Sequence, residues 1–279
     1  MLEKIAVLGG DLRQTYLVQQ LMLSGFDTAS YAVPQLADTH RSLHETLSDA
    51  AAAALPMPAL TKDGCIRAEQ PIPLRPVLES LPADAVIFGG VLDGARELLV
   101  QYPLRVADYA QSAALAAGNA VPTAEGAIAI AMEQLPITLG QSRCLVIGFG
   151  RIGKILAQLL RGLNAAVTVT ARKSEDRALA EALGFAADRT GQYLRGLRQY
   201  DCVFNTVPAP VLRREHLSAL RADCPIIDLA TGGGLSPALD ASAYPNYQLA
   251  SALPGRFSPA TAAEVLRRFI LETMSAAQT

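Results

Sequence analysis

Residues 148–153 read Gly-Phe-Gly-Arg-Ile-Gly, three glycines at the spacing G-x-G-x-x-G. An apolar run, Leu145 to Ile147, leads in, and a helical pattern of Ile155, Leu156, Leu159 and Leu160 leads out. That setting gives each glycine a task. Gly148 permits a tight turn out of a strand, Gly150 lets a pyrophosphate approach the backbone, and Gly153 allows the helix to pack closely on the strand. The start of such a helix offers unpaired N–H groups and a partial positive charge to phosphates. Gly148, Phe149, Gly150, Arg151, Ile152 and Gly153 are therefore expected to hold a dinucleotide. The plain alternative is a glycine turn in an unrelated α/β protein.

The residues after the next strand, Ala166 to Thr170, choose between cofactors. An NAD site usually places an acid about 20 residues past the glycines, on the ribose 2′-hydroxyl. Here the chain reads Ala171-Arg172-Lys173-Ser174, and two cations with a hydroxyl suit a 2′-phosphate. NADP is the expected cofactor, and Glu175 and Asp176, which follow at once, leave NAD open. A further apolar strand, Cys202 to Asn205, runs into Thr206, Val207 and Pro208, expected beside the nicotinamide half. After the next strand, Pro225 to Ala230, stand Gly232, Gly233 and Gly234, either a close approach to the ring or a flexible turn.

Two other polar clusters could do chemistry. Ile5 to Gly10 is a strand ending in glycines, followed by Asp11, Arg13 and Gln14. At the carboxyl end of a first strand these face the crevice where open α/β sheets bind ligands. The alternative is a helix cap, Asp11, with exposed first-turn residues. The second cluster is Pro122-Thr123-Ala124-Glu125-Gly126. Pro122 suits a helix start, and a helix N-terminus at Thr123 would attract a carboxylate. The alternative is a plain capped linker helix.

The elements that must position these groups follow a strand–helix rhythm. Strands are expected at 5–10, 28–33, 85–90 and 105–109, with a helix over 16–23. Ala50 to Ala54 reads as helix, and the prolines at 56, 58, 71, 73 and 76 argue for an irregular connection. Ala178 to Leu183 reads as a short helix. Leu253-Pro254-Gly255 breaks the chain, and Pro259 to Met274 reads as a terminal helix. The expected fold is α/β in two domains: a smaller parallel α/β domain over 1–121, a bridging helix over 122–139, a Rossmann dinucleotide-binding domain over 140–252, and a helix over 253–279 returning to the first domain.

Composition narrows the function. The chain of 279 residues is 51% hydrophobic and 18% charged with net charge −2, which allows a substantial core. It has no basic run of the kind that binds nucleic acid or a membrane surface, and no apolar stretch of about 20 residues. Met1 to Lys4 lead straight into a strand, unlike a signal peptide. Cys65, Cys144, Cys202 and Cys224 form no C-x-x-C pair and read as buried or incidental thiols of a reducing cytoplasm. His40 and His44 lie one helical turn apart without a third ligand, so no metal site is expected.

Taken together, the segments Ile5 to Gln14, Asn119 to Gly126, Gly148 to Gly153, Asn205 to Pro208, Asp228 to Ala230 and Leu253 to Thr261 resemble the family of dipicolinate synthase A subunits, in the family's order along nearly the whole chain. The chain departs from the family at Thr231-Gly232-Gly233-Gly234, where a basic residue and a proline would precede the glycines, and at Ala260, where a lysine would stand. The resemblance implies an NAD(P)-dependent oxidoreductase that turns dihydrodipicolinate, or its hydrated precursor, into aromatic dipicolinate in the mother cell of a sporulating bacterium. It also implies a partner, the flavoprotein-like B subunit of dipicolinate synthase, and homo-oligomers are expected. On this reading Arg13 clamps one carboxylate, the helix start at Thr123 holds the other, and Glu125 or Asp11 takes the proton. Two rivals stand beside it. A 2-hydroxyacid dehydrogenase shares the layout but uses a late catalytic histidine, and no histidine follows His216. A non-catalytic subunit would bind NADP without transferring hydride.

Overall fold

The structure is a computed structural model and describes residues 3–40, 42–192 and 196–276. Met1 and Leu2, read above as the lead into the first strand, lie outside the described residues. The chain forms two compact units. One runs to Asn119 and resumes at Ser258; the other spans Ala120–Phe257.

In the first unit the order is β1 (Lys4–Leu8), α1 (Leu12–Leu23), β2 (Asp27–Tyr31), α2 (Leu43–Leu47), β3 (Ala52–Ala54), α3 (Leu74–Ser80), β4 (Val86–Gly89), α4 (Arg96–Leu99), β5 (Arg105–Asp108) and α5 (Ala113–Gly118). The strands form one parallel sheet in the order β2-β1-β3-β4-β5. Side chains alternate across it, as the pleat requires. Ala6, Leu8, Ala53 and Ile87 join one core with Leu47, Val77 and Leu78 of α2 and α3. Ile5, Val7, Ala52, Ala54 and Phe88 join the other with Leu17 and Leu21 of α1. The last helix, α11 (Pro259–Ala276), completes this second layer through Leu266 and Ile270.

Strand β3 corrects the helical reading of Ala50 to Ala54. Alanine favours helix in isolation. Here Ala52–Ala54 pair with β1 on one side and β4 on the other, and all three are fully buried. Two neighbouring ladders and burial on both faces outweigh that weak local preference.

The second unit contains α6 (Ala120–Gln134), β6 (Arg143–Ile147), α7 (Arg151–Gly162), β7 (Ala166–Ala171), α8 (Ser174–Ala182), β8 (Ala186–Arg189), β9 (Cys202–Asn205), α9 (Arg214–Ala219), β10 (Ile226–Asp228), β11 (Tyr247–Leu249) and α10 (Leu253–Phe257). Its six parallel strands lie in the order β11-β10-β9-β6-β7-β8. Numbered within the unit this is 3-2-1-4-5-6 read from β8, the doubly wound order of dinucleotide-binding domains. Helix α6, read above as a bridge, belongs to this unit: Ala124, Ala127 and Ile128 share a core with Val146 of β6 and Leu156 of α7. The Leu253-Pro254-Gly255 break is itself helical, as α10. It packs so tightly on α6 that a Cβ at Gly126 would lie 2.9 Å from the Phe257 ring.

Cys144, Cys202 and Cys224 are buried in the second unit and Cys65 is half-buried in the first. Burial pushes the Cys144 and Cys224 thiols up to about 11 and about 12, and Cys202 upward as well. These three act as small apolar core residues. Among the described residues, no helix is long and apolar enough to cross a membrane.

Candidate functional site

The chemistry-bearing surface of the second unit is a cleft of about 950 Å³ at the carboxyl ends of its strands. Its floor is the turn from β6 into α7. Gly148 has φ +99°, in the left-handed region where glycine is favoured. A Cβ there would lie 2.4 Å from Thr206 Oγ1, and the Thr206 hydroxyl donates to the Ile147 carbonyl at 3.0 Å. The turn is thus sealed from beneath by the loop after β9. Gly153 lies against the same turn, since its Cβ would stand 2.2 Å from the Gly148 carbonyl oxygen. Gly150 differs from both: a Cβ there would meet nothing within 4 Å.

Gly150 is also the N-cap of α7, with φ −82° and ψ −160°, and no side chain caps the helix. No acidic residue stands in the first turn. The first N–H groups of this helix therefore face the cleft without a carboxylate of the chain's own, the arrangement that binds a pyrophosphate. A nicotinamide dinucleotide fits this cradle: the backbone is bare at Gly150, and Arg151, Lys154, Arg172 and Arg213 line the walls.

Of the twelve residues expected to hold the cofactor, eight line the cleft: Gly148, Phe149, Gly150, Arg151, Arg172, Thr206, Val207 and Pro208. The other four do not. Ile152 packs against the core, and Gly153 serves the helix–strand contact. Lys173 and Ser174 are exposed, with Lys173 Nζ 3.8 Å from Glu175. The cleft adds residues that the motif does not reveal. Lys154 lies 5.4 Å from the Phe149 ring centroid and 3.9 Å from Asp176, which lines the cleft beside Arg172. Thr190 enters after β8, and Arg213 with His216 after β9. His216 Nδ1 accepts from the Arg213 N–H at 3.1 Å, and burial lowers its pKa. The neutral acceptor form thus holds the start of α9. Thr190 and Arg213 come from loops, and Asp176 and His216 from the first turns of later helices, at distances along the chain that no short spacing betrays.

Gly232 and Gly233 both have φ +79°. They swing the chain so that the Gly234 N–H donates to the Asp228 carboxylate at 2.6 Å. The triple glycine is neither a bare turn nor an element of the cleft wall; it closes a hydrogen-bonded loop on β10.

In the first unit Asp11 caps α1, accepting from the Arg13 N–H at 3.0 Å. Arg13, 7% exposed, turns its guanidinium back onto the Asp11 carboxylate, with Nε at 2.9 Å and Nη2 at 2.7 Å, and also donates through Nη2 to the Met57 carbonyl. This corrects the expected clamp, because the fork that would grip a substrate carboxylate already grips Asp11. Burial raises the Asp11 carboxyl, but its bonds to Arg13 and the charge of Arg13 outweigh this and hold it below the usual carboxylate range. That makes Asp11 a weak proton acceptor at neutral pH. Here the capping alternative is the one the geometry shows.

The expected helix start at Thr123 is corrected as well. Helix α6 begins at Ala120, and Asn119 before it has helical φ −78° and ψ −8° as the last residue of α5's final turn. Pro122 occupies the third helical position and Thr123 the fourth, past the unpaired donors of a helix start. Glu125 lies on the exposed side of α6. Asp11 and Arg13 belong to the first unit, Thr123 and Glu125 to the second.

Comparison with known proteins agrees with both units. Residues 4–110 match the family described as the N-terminal domain of the dipicolinate synthase A subunit. Residues 123–238 match the NAD-binding domain of D-isomer specific 2-hydroxyacid dehydrogenases. The dipicolinate synthase A subunit of Bacillus subtilis (strain 168) is 27% identical, covering 99% of this chain and 97% of that protein. The crystal structure of the dipicolinate synthase A chain from Bacillus subtilis superimposes with a TM-score of 0.85 at 27% identity, covering 100% of this chain and 97% of that one. The crystal structure of the corresponding dipicolinate synthase protein from Bacillus halodurans has a TM-score of 0.87 at 24% identity, covering 97% of each chain. The second unit is a Rossmann-type domain for a nicotinamide dinucleotide, and the chain is an NAD(P)-dependent oxidoreductase.

Proposed function

We propose that this chain, which belongs to the family of dipicolinate synthase A subunits, oxidises dihydrodipicolinate or its hydrated precursor to dipicolinate with NADP as hydride acceptor. The observation that carries this reading is the match at 4–110. That stretch lies in the unit without the dinucleotide cleft, and it is similar to the N-terminal domain of the dipicolinate synthase A subunit.

The bound dinucleotide supplies a two-electron acceptor. For the dihydro ring, one hydride leaves a ring carbon and one proton leaves to a base, and the ring becomes aromatic; the hydrated precursor also loses water. Aromatisation supplies much of the driving force, so the protein's task is mainly to bind and orient. The first N–H groups of α7 would hold the pyrophosphate. Arg172, just past β7 where the adenine ribose would lie in this strand order, would meet the 2′-phosphate. Asp176 in the same wall would suit an unphosphorylated ribose, which keeps NAD as the second reading. With Asp11 engaged by Arg13, Glu125 is our candidate to receive the proton. The reading includes the flavoprotein-like B subunit for a partner, a homo-oligomeric assembly, and action in the mother cell of a sporulating bacterium.

The test mixes the protein with freshly made dihydrodipicolinate and NADP or NAD, with and without the candidate partner, and follows dipicolinate absorbance. Dipicolinate formed faster with NADP is the expected result. Oxidation of 2-hydroxy acids without dipicolinate would favour the hydroxyacid dehydrogenase, and dinucleotide binding without hydride transfer to any of these would favour a non-catalytic subunit.

A further inference from the structure

Asp228 ends β10 with no exposed surface, and both carboxylate oxygens are filled by donors. Oδ1 accepts from Asn205 Nδ2 at 2.8 Å and from the Ala230 N–H at 3.1 Å. Oδ2 accepts from the Gly234 N–H at 2.6 Å and from the Tyr247 hydroxyl at 2.8 Å. Among the described residues these partners are all neutral. Asn205, also fully buried, passes the tie onward: its Nδ2 donates to the Val207 carbonyl at 3.2 Å, and its Oδ1 accepts from the Val207 N–H at 3.1 Å. The network has no slack, since a Cβ on Gly234 would lie 2.1 Å from Asn205 Nδ2.

One buried anion therefore joins the chain leaving β9, the loop leaving β10, and β11. An apolar contact could hold three strand ends together without the cost of burying a charge. What the carboxylate adds is direction, because four donors fix the loop backbones in angle as well as distance. In this strand order the dinucleotide crosses the sheet at the switch between β6 and β9. Its adenine ribose lies toward β7, so the nicotinamide half falls on the side of β9 and β10. Thr206 and Val207, held by the network, line the cleft there.

We infer that Asp228 is a positioning residue that, braced by the loop at 230–234, holds the loop at 205–207 in the shape required by the nicotinamide half of the bound dinucleotide. The adenine half would rest on the loop after β7 and the pyrophosphate on the start of α7, and none of the network's hydrogen bonds ends on either segment. The inference rests on the dinucleotide cleft and not on the diacid substrate, so it survives if the proposed reaction fails.

The experiment compares two ligands by calorimetry. One is the reduced dinucleotide, NADPH or NADH, whichever the unaltered protein binds more tightly. The other is the matching ADP-ribose, with or without its 2′-phosphate, which keeps every group except the nicotinamide. Asp228→Asn preserves size but replaces one acceptor with an amide nitrogen, leaving two donors unmatched. It is expected to weaken the dinucleotide about tenfold, as when a buried polar group loses its partner, and to leave ADP-ribose within about twofold. The emission of bound reduced nicotinamide should fall with it. Tyr247→Phe removes a single donor and should show about a threefold loss in the same sense. Equal weakening of both ligands, or no change in either, overturns the inference; Asp228→Asn decides if it folds, and Tyr247→Phe decides if it does not.

Discussion

Each unit contains a parallel strand, a glycine turn and a helix in succession, and the two turns are put to opposite uses. After β6, Gly150 caps α7 with no side chain, and the space over its Cα is open. After β1, the equivalent helix start is capped by Asp11, a carboxylate of the chain itself. The glycines before it are hemmed in by the same unit: a Cβ on Gly9 would lie 2.4 Å from the Arg67 carbonyl oxygen, and one on Gly10 would lie 2.3 Å from Gln14 Cγ. The Gly10 N–H donates to that carbonyl at 2.7 Å, and Arg13 reaches Met57. The same βα turn thus binds an internal anion in one unit and is shaped for an external one in the other. A glycine pair after a strand does not by itself mean a phosphate site; what stands at the N-cap decides.

The sharpest way to break this contrast is to give α7 the cap that α1 has. Gly150→Asp places a carboxylate where the backbone angles already allow a side chain. Stability should hold to within a few tenths of a kcal/mol. Dinucleotide affinity should fall by about 100-fold or more, since like charges brought together cost several kcal/mol. Calorimetric binding with a parallel melting curve reads both, and retained affinity would show that α7's start is not the phosphate site.

The converse change, Asp11→Ala, removes both a cap and the partner of buried Arg13. We expect a loss of about 2 kcal/mol in urea unfolding. That exceeds the ~1 kcal/mol of a lone cap and falls below the roughly 3–5 kcal/mol of a fully buried pair, because the Asp11 side chain is 43% exposed. Next in size, Arg172→Ala should weaken NADP binding about tenfold and NAD binding by less than about twofold. Equal effects on both would remove the 2′-phosphate reading and point to Asp176 and NAD.

The smallest effect concerns acid. Glu264 on α11 takes bonds from Arg267 and Arg268, and these hold its carboxyl down at about 2 against an ordinary 4.5. A depressed carboxylate stabilises the fold above its ordinary value and loses that contribution as pH falls toward the folded one. Glu264→Gln should therefore be less stable than the parent at pH 7 and equal to it near pH 2. A constant difference across that range in urea midpoints would show that the ion cluster is not the cause.

How much was legible in the sequence follows the same contrast. The segment from Leu145 to Leu160 was readable because strand, turn and helix depend on near neighbours, and three glycines announce close approach. Gly232 to Gly234 announced the same thing, but its target, Asp228, lies six residues back and becomes visible only when the loop folds onto the end of β10. Ala52–Ala54 was unreadable for a related reason, since its strand character comes entirely from β1 and β4 on either side. Arg13 had the right chemistry for a substrate clamp and the right place at a strand end. Nothing along the chain told that Asp11, two residues before it, would claim its guanidinium. Thr123 failed because a proline near a helix start looks the same whether the preceding turn is coil or, as here, the end of another helix.

The docking of α11 on α1 has a consequence for how the molecule comes into being. Leu266 and Ile270 supply part of the layer that covers β1, β3 and β4, yet they are translated more than 100 residues after those strands. The unit with the dinucleotide cleft is one unbroken length of chain and can close as it emerges from the ribosome. The first-made segment must wait, with one face of its sheet only partly covered by α1, until α11 has emerged.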